Sequence, residues 1–385
     1  MLKVFISIIV LSAFLSAKAQ NSVEQILQLV TLNNTSLRAA SDRTEAAKQE
    51  ARMETSLADP ELGFDYLWGA PGQIGHRKDV NITQSLDLAT LFGYRRKLAR
   101  SQQELLDLEL QQQQIAKQLE ALDLLVQLTC LNQSLALTEE RLAQERLLAD
   151  AYEKRLQAGD ANKLEVNRMR LSVADIEADA ERLHTERDLL RLDLQTLCAD
   201  STIDYQATDY QPLLSLPGFS LRALQQAQIA QQQTVADADL SAARAQSLPT
   251  LTAGYMAELT DDEKWRGITV GLSIPLWNNR TNLRRARLQQ QSARSEAADA
   301  AYQLEQATTA QRLRTERYQH IAQHLEQQLQ HASPTALLRK ALDEGEISLI
   351  EYTLECADLF DLRLKALEAE RDYQQARLQY EALQM

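Results

Sequence analysis

Two glutamates stand at matching distances behind two isolated glycines. Glu165 follows Gly159 by six residues, and Glu351 follows Gly345 by six residues. Each glycine lies between two helix-like stretches, which is typical of a glycine that ends a helix. Carboxylates at two equivalent turns could attract cations to a mouth or gate. They could equally be solvated residues at helix starts, where the helix dipole favours negative charge.

Three histidines come nearest to the pattern of a metal site. His320 and His324 are four residues apart, so on a helix they would share one face and could ligate a metal. His331 follows seven residues later. The segment is rich in glutamine and lacks the glutamate of a zinc-protease helix, so solvated polar side chains are the simpler interpretation. We expect no resident metal and no cofactor.

The remaining reactive side chains do not favour an enzyme. Cys130, Cys198 and Cys356 are far apart and odd in number, which fits neither a disulfide framework nor a zinc spacing. Each stands in a helix-like stretch rich in Leu or Ala, and we predict packed free thiols. The sequence contains no Walker motif, dinucleotide fingerprint or Gly-x-Ser-x-Gly elbow.

The segment 1–19 has the pattern of a secretory signal peptide. Lys3 precedes an apolar stretch from Val4 to Leu15, and Ala17-Lys18-Ala19 fits a cleavage site. An uncleaved anchor is the alternative, but the apolar stretch is short for a membrane span. The net charge of −13 argues against a nucleic-acid partner.

The rest of the chain has the pattern of a duplicated unit. Pro60 and Pro249 each precede an alternating stretch, and Gly159 and Gly345 each precede a helix-like stretch. The offset between the two prolines is nearly the same as the offset between the two glycines. Landmarks in one order at nearly one offset indicate two repeats joined by a linker. The predicted boundaries are a first repeat over 20–199, a linker over 200–218 and a second repeat over 219–385.

Four stretches alternate between apolar and polar side chains, as strands do. Each is about ten residues long, the length that crosses a bilayer as a tilted strand. Aromatic residues cluster near the strand ends, as in the belts that meet lipid headgroups, although a soluble sandwich could alternate in the same way. The predicted strands are 60–69, 79–88, 250–259 and 268–277, and the predicted aromatic belt is Trp68, Phe92, Tyr94, Trp265 and Trp277.

Four strands cannot close a barrel, and open strand edges are not tolerated in lipid. We therefore expect the chain to form an oligomer that continues the backbone pairing from copy to copy. Three copies of four strands would supply twelve, within the range of membrane barrels, although the strand count alone does not determine the number of copies.

Two helices are predicted to be too long for a globular domain. The stretch from Phe92 to Ala158 contains no proline and one glycine, and as one helix it would be roughly 100 Å long. From Leu98 to Thr129, ten positions follow the 4-3 spacing of a coiled coil, and seven of them are apolar. A second long helix after Asn279 would kink or end near Pro334. The predicted fold class is mainly α with a small membrane β-barrel, built from two repeats of long helices plus a two-stranded antiparallel pair.

These residues resemble the TolC-like outer-membrane factor family over about residues 22–383. The most specific are the two glycine–glutamate tips, the Leu248-Pro249 strand entry and the Ile274-Pro275-Leu276-Trp277 strand end before an Arg/Ala helix. The resemblance implies a homotrimer in the outer membrane of a Gram-negative bacterium, with a twelve-stranded barrel continuing into a periplasmic helical barrel. It also implies docking to a periplasmic adaptor protein and an inner-membrane pump.

The resemblance further implies a passive efflux duct for small molecules or metal ions, gated at the hairpin tips. Glu351 fits one acidic gate position of the family, whereas Leu354 stands at another. The compact size is similar to that of heavy-metal efflux members. The alternative is a periplasmic coiled-coil adaptor or scaffold without a pore. Such an adaptor would carry one hairpin flanked by soluble β domains, not two hairpins alternating with two strand pairs.

Overall fold

The computed structural model describes residues 22–69, 75–210, 221–275, 279–332 and 334–384, and it is mainly helical with one small antiparallel sheet, as the sequence predicted. The predicted signal peptide, residues 211–218 of the predicted linker, and Trp277 lie outside the described residues. The helices are α1 (Val23–Asn33), α2 (Thr35–Met53), α3 (Leu88–Leu91), α4 (Tyr94–Ala158), α5 (Lys163–Cys198), α6 (Leu221–Ala245), α7 (Asn279–His331), α8 (Thr335–Asp343) and α9 (Leu349–Gln384). The strands are β1 (Glu61–Trp68), β2 (His76–Leu86), β3 (Thr250–Thr260) and β4 (Lys264–Ser273).

The strands form one sheet in the order β1-β2-β3-β4, with every neighbouring pair antiparallel. The first and third strands lie close to their predicted positions. The second begins three residues before the predicted residue 79, and the fourth begins four residues before the predicted residue 268. In both, charged residues at the loop end continue the ladder, because backbone pairing does not require apolar side chains.

The long helix predicted from residue 92 is confirmed by α4, which has 65 residues. None of the ten positions that follow the 4-3 spacing from Leu98 to Thr129 is exposed, so the apolar stripe is the packed face. The second long helix, α7, has 53 residues and ends at His331. Pro334 then stands directly before α8, with the φ of −60° that its ring imposes.

Two compact units make up the chain, and each takes segments from both halves of the sequence. The first unit comprises Met1–Thr35, Ile115–Gly218 and Thr309–Gln384, and the second comprises Ser36–Gln114 and Phe219–Thr308. The first contains both glycine–glutamate turns, and the second contains the whole sheet. The sequence repeats are therefore not the compact units.

The first unit has an apolar core built mainly from α1, α4, α5 and the end of α9. Ile26, Leu128 and Leu194 are almost fully buried in it, together with Ile203 from the segment after α5. Asn34 donates a hydrogen bond of 2.7 Å from its side chain to the carbonyl of Leu197. Among the described residues, no helix is both long enough and apolar enough to cross a membrane.

Candidate functional site

The sheet of the second unit has one apolar face and one polar face. Its register is continuous across all four strands, so residues at one level form a row. Leu62, Ile82, Tyr255 and Ile268 form one such row. The next row, on the opposite face, contains Gly63, Asn81, Met256 and Gly267. Because strand side chains alternate, this difference holds over the part of the sheet near the helices, whereas near the hairpin loops the apolar face also carries Lys78, Lys264 and Arg266.

The apolar face is not covered by the described helices. The exposed fraction is 83% for Ile268, 76% for Val270 and 74% for Leu62. Phe64 and Leu272 are likewise exposed. A contiguous exposed apolar surface of this kind marks a contact with lipid or with another protein chain.

Gln84 is the polar residue that interrupts the apolar alternation of the second strand. Its side-chain amide donates a hydrogen bond of 2.6 Å to the carbonyl of Ala58, just before β1. It also donates one of 3.1 Å to the carbonyl of Ser85. The side chain thus satisfies carbonyl groups at the end of the sheet that adjoins the helices, which explains a glutamine at a position otherwise occupied by apolar residues.

The polar face carries a row of carboxylates near the hairpin loops. Asp65, Asp79 and Glu258 are direct cross-strand neighbours. Arg77 lies on the same face and forms ion pairs of 2.9 Å with Asp79 and 3.0 Å with Glu258. Like charges opposite one another destabilise a sheet, and the guanidinium offsets that repulsion. The polar face is therefore charged near the hairpin loops.

The described residues of the predicted aromatic belt lie at both ends of the strands. Trp68 lies on the apolar face at the loop end of β1 and is 75% exposed. Phe92 and Tyr94 are exposed at the opposite end of the strands. Phe92 stands just before α4, and Tyr94 is its first residue. Trp265 pairs with Glu258 and so belongs to the polar face. Its indole N–H donates to a carboxylate oxygen of Glu263 at 3.1 Å. The strand alternation, and not proximity to the strand end, decides which face a residue takes.

The sheet is open at both sides. β1 and β4 each pair with one strand in the part of the chain that the structure describes. Their outer backbone groups form an edge that another strand can extend. Open edges of this kind are not tolerated within lipid.

The two glycine turns of the first unit have the same geometry. Gly159 has a φ of +85° and Gly345 a φ of +76°, both in the left-handed region. After α4, the N–H of Asp160 donates to the carbonyl of Arg155 at 2.8 Å. After α8, the N–H of Glu346 donates to the carbonyl of Ala341 at 2.9 Å. Both helices therefore end in the same hydrogen-bonded glycine cap, which reverses the chain into a hairpin tip.

Each predicted tip glutamate closes a reciprocal cap at the start of the returning helix. The N–H of Glu165 donates to the side chain of Asn162 at 2.9 Å, and a Glu165 carboxylate oxygen accepts from the N–H of Asn162 at 2.8 Å. Glu351 and Ser348 form the same pair of bonds, at 3.2 and 2.8 Å. Sequence reasoning missed Asn162 and Ser348, although a cap residue three positions before a glutamate is a recognisable signal.

The hydrogen bonds at the second tip change the titration of its glutamate. The bonds from the Ser348 backbone and hydroxyl hold the pKa of Glu351 below its ordinary value. Glu351 is exposed, and Glu165 is half-buried. Both carboxylates therefore keep solvent access while they cap their helices, so capping and attraction of a cation are compatible roles.

One apolar cluster of the first unit joins the two hairpin tips. It contains Leu148 and Tyr152 of α4, Met169 of α5, and Leu349 and Tyr352 of α9. Met169 is fully buried. The two hairpins pack as a single body near their tips, so moving them apart would expose this cluster.

Beside the cluster, α4 places a buried carboxylate that the sequence analysis did not identify. Glu145 is 5% exposed, and one of its carboxylate oxygens has no hydrogen-bond partner among the described residues. It borders a small cavity of about 30 Å³ that Arg141, Tyr352 and Cys356 also line. Burial raises the pKa of Glu145, and the positive charges of Arg141, Arg339 and Arg168 partly oppose that rise.

The histidines and cysteines lie outside these sites. His320, His324 and His331 are exposed along α7. Within the described ranges, no group of three or more His, Cys, Asp or Glu side chains is placed to hold a metal ion. The three cysteines are buried and free, as the sequence predicted, and burial raises the pKa of Cys198 to about 11. Such thiols are unreactive packing groups.

The chain has the fold of bacterial outer-membrane channels. A membrane protein from Pseudomonas aeruginosa superimposes with a TM-score of 0.77 at 18% identity, over 96% of this chain and 94% of that one. The outer-membrane protein VceC from Vibrio cholerae gives 0.75 at 15% identity, with 94% of each chain covered. The open-state MtrE outer-membrane channel from Neisseria gonorrhoeae gives 0.75 at 16% identity, over 94% of this chain and 89% of that one.

At these identities the likeness establishes the fold. No protein-family model and no curated protein sequence matches the chain. The shared fold covers nearly the whole chain, including the sheet and the long helices. It agrees with the TolC-like fold to which the sequence resemblance points.

Proposed function

We propose that the chain is one subunit of the outer-membrane channel of a tripartite efflux pump, and that it acts as a passive exit duct. The observation that carries this proposal is the sheet, whose apolar face is exposed and whose two edges are open. Lipid would cover the apolar face, and strands of further copies would satisfy the edges. The charged polar face would then line a water-filled lumen.

The proposed assembly is a homotrimer. Three copies would close a barrel of twelve strands, a size found among membrane barrels. The sequence resemblance and the shared fold both support this number. Each copy would also contribute its two hairpins, so that the trimer would carry six tips.

The proposed partners are a periplasmic adaptor protein and an inner-membrane pump. The hairpin tips offer the adaptor an exposed apolar surface, since Leu164 and Ile350 project into solvent one residue before the capping glutamates. The pump would supply the energy for transport. The cargo would be small molecules or metal ions, and the compact chain favours the heavy-metal branch, with the ion as cargo.

Membrane extraction followed by conductance measurement tests the duct. We expect the full chain to require detergent, to migrate as a heat-modifiable trimer, and to conduct ions when inserted into a planar bilayer. A coiled-coil adaptor or scaffold would instead remain in the aqueous fraction and give no conductance. Recovery of a detergent-free, non-conducting protein would therefore refute the channel and support the scaffold.

We further propose that Glu165 and Glu351 form the cation-sensitive gate, with two carboxylates per chain. The double variant Glu165→Gln, Glu351→Gln tests this, because glutamine retains the capping geometry while removing the charge. We expect altered conductance and weaker block by divalent cations. The matched control is Glu140→Gln with Glu181→Gln, which removes two exposed carboxylates of α4 and α5 away from the tips. Equal cation block in both variants would eliminate the gate and leave the duct intact.

A further inference from the structure

The two helices that follow the strand pairs begin with strongly basic segments. Residues 94–103 contain four basic residues and no acidic one, and residues 279–288 contain four arginines and no acidic residue. The whole chain carries a net charge of −13. Eight positive charges in these two segments of an acidic chain indicate a surface that binds a separate partner.

Two adjacent pairs of cations recur at the same place in both repeats. Arg96 and Lys97 follow the second strand, and Arg284 and Arg285 follow the fourth. The offset between the two pairs equals the offset between Ser85 and Ser273, which stand near the ends of those strands. We call Arg96–Lys97 and Arg284–Arg285 the basic pairs.

The side chains of the basic pairs are exposed and have no ion-pair partner within the described residues. Two arginines beside the first pair differ in this respect. Arg95 forms an ion pair of 3.0 Å with Asp87. Arg100 forms one of 3.3 Å with Glu104. The chain thus neutralises Arg95 and Arg100 itself. The four cations of the basic pairs, like Arg280 and Arg287 beside the second pair, have no ion-pair partner within the described residues and are available to an external anion.

The basic pairs lie in the second unit, where the helices adjoin the exposed apolar face. Each pair stands within about 10 Å of its helix start along the axis, given a rise of about 1.5 Å per residue. Phe92, which is 68% exposed, and the partly exposed Tyr94 lie between the end of β2 and the first pair. Aromatic residues at this level are typical of the boundary between acyl chains and headgroups.

We propose that the basic pairs bind the headgroups of anionic phospholipids in the leaflet next to the helices. The proposal rests on the proposed membrane insertion of the sheet, which would place acyl chains against the apolar face. The phosphate groups of those lipids would then reach the level of the basic pairs. Arginine donates two parallel hydrogen bonds to phosphate, and lysine binds it as a point charge.

Lipid retention by the full assembled protein tests the proposal. The protein is reconstituted in phosphatidylcholine mixed with phosphatidylglycerol and then re-extracted, and the retained lipids are quantified by mass spectrometry. We expect phosphatidylglycerol to be enriched over its share in the mixture. The enrichment should fall roughly fivefold for each cation removed from a lipid-contacting position, and it should weaken at high salt.

The test variant is Arg284→Gln with Arg285→Gln, and the matched control is Arg314→Gln with Arg317→Gln. The control removes two exposed arginines that stand later along the same helix. Loss of enrichment in the test variant alone, with trimer and conductance retained, supports the proposal. No enrichment in the unmodified protein, or equal loss in both variants, overturns it.

One further outcome would also overturn it. If the basic pairs line the lumen, Arg284→Gln with Arg285→Gln would change the anion-to-cation selectivity of the channel without changing the retained lipids. In each of these outcomes the protein still inserts and conducts, so the proposed function stands. Failure of the unmodified protein to enter a bilayer would instead remove the proposed function itself.

Discussion

The sheet and the hairpin tips reach their stability in opposite ways. At the tips, each helix end is capped by residues a few positions away, and one buried cluster packs both hairpins of a single chain. In the sheet, apolar side chains such as Ile268 are exposed, and both outer strands present open edges. The tips make their stabilising contacts within one chain. The apolar face and the two outer edges of the sheet are not covered by any of the described residues.

This difference separates two kinds of substitution. A change in the sheet should act on assembly and membrane insertion, because in the proposed channel its stabilising contacts lie with lipid and with other copies. A change at the tips should act on local stability, because the contacts are within the chain. Four predictions, in decreasing order of expected effect, test that distinction.

The largest effect should come from a charge on the apolar face. Ile268→Arg places a guanidinium against lipid, at a cost of about 2–4 kcal/mol per chain near the bilayer midplane. The adjacent change Thr269→Arg adds the same side chain to the polar face and should be tolerated. The measurement is the amount of heat-modifiable oligomer that each variant gives on a gel. Equal loss of oligomer in the two variants would show that the faces are not distinguished by lipid.

The next effect concerns the buried carboxylate near the tips. Because burial raises the pKa of Glu145, the folded state binds the proton more tightly than the unfolded chain does. The protonated carboxyl group contributes stability at acidic pH. That contribution is lost as the pH rises from 4.5, the ordinary pKa of a glutamate, through the raised pKa of Glu145. Glu145→Gln should therefore stabilise the protein by about 1–3 kcal/mol at neutral pH and by little in acid.

Thermal unfolding in detergent across a pH series measures this effect. Glu140→Gln, on the exposed surface of the same helix, is the control and should not change the pH profile. A stabilisation by Glu145→Gln that is equally large in acid would contradict the assignment to a buried charge.

A smaller effect should follow from either tip glycine. Gly159→Ala and Gly345→Ala each place a Cβ in a left-handed conformation, at about 1–2 kcal/mol. No atom lies within 4 Å of the added Cβ at either position, so backbone strain is the whole cost. Gly267→Ala in β4 also has open space, but it lacks a positive φ and should be nearly neutral. Comparable unfolding midpoints for all three would argue against strained tips.

The smallest effect should come from the second cap. Ser348→Ala removes one hydrogen bond to the returning helix, at about 1 kcal/mol. It also lets the pKa of Glu351 rise toward its ordinary value. A carboxyl group whose pKa is lowered by folding stabilises the folded state at pH values above its unfolded pKa. That stabilisation is lost as the pH falls through the folded pKa. The variant has less of it to lose, so its stability should fall less on acidification. Denaturant midpoints at neutral and acidic pH measure both parts.

Long-period patterns and local signals made much of this architecture predictable. The 4-3 spacing predicted α4, because a packed helix stripe repeats with the helix period. The alternation predicted four strands, and Gly159 and Gly345 predicted the tips, because a left-handed residue is a local requirement. The charged ends of the second and fourth strands were missed, because pairing there depends on the partner backbone and not on side-chain polarity.

The site was less predictable than the fold. The positions of Glu165 and Glu351 followed from their spacing, but their bonds to Asn162 and Ser348 became apparent only in the structure. Trp265 was placed in the aromatic belt by its nearness to a strand end, whereas the register assigns it to the polar face. Glu145 carries no sequence signal, since its burial depends on residues of α9 that are distant from it in the chain.

The amino-acid sequence alone was enough to predict the features that follow from patterns along the chain: the helix period, the strand alternation, the glycine turns and the duplicated order of segments. The tertiary structure was needed to show which faces remain uncovered, which carboxylate is buried, and which cations have no ion-pair partner among the described residues. The physical reason is that periodicity and turns depend on neighbours within a few residues. Burial and pairing depend on side chains that are distant in the chain, and their positions follow from the packing of the whole unit.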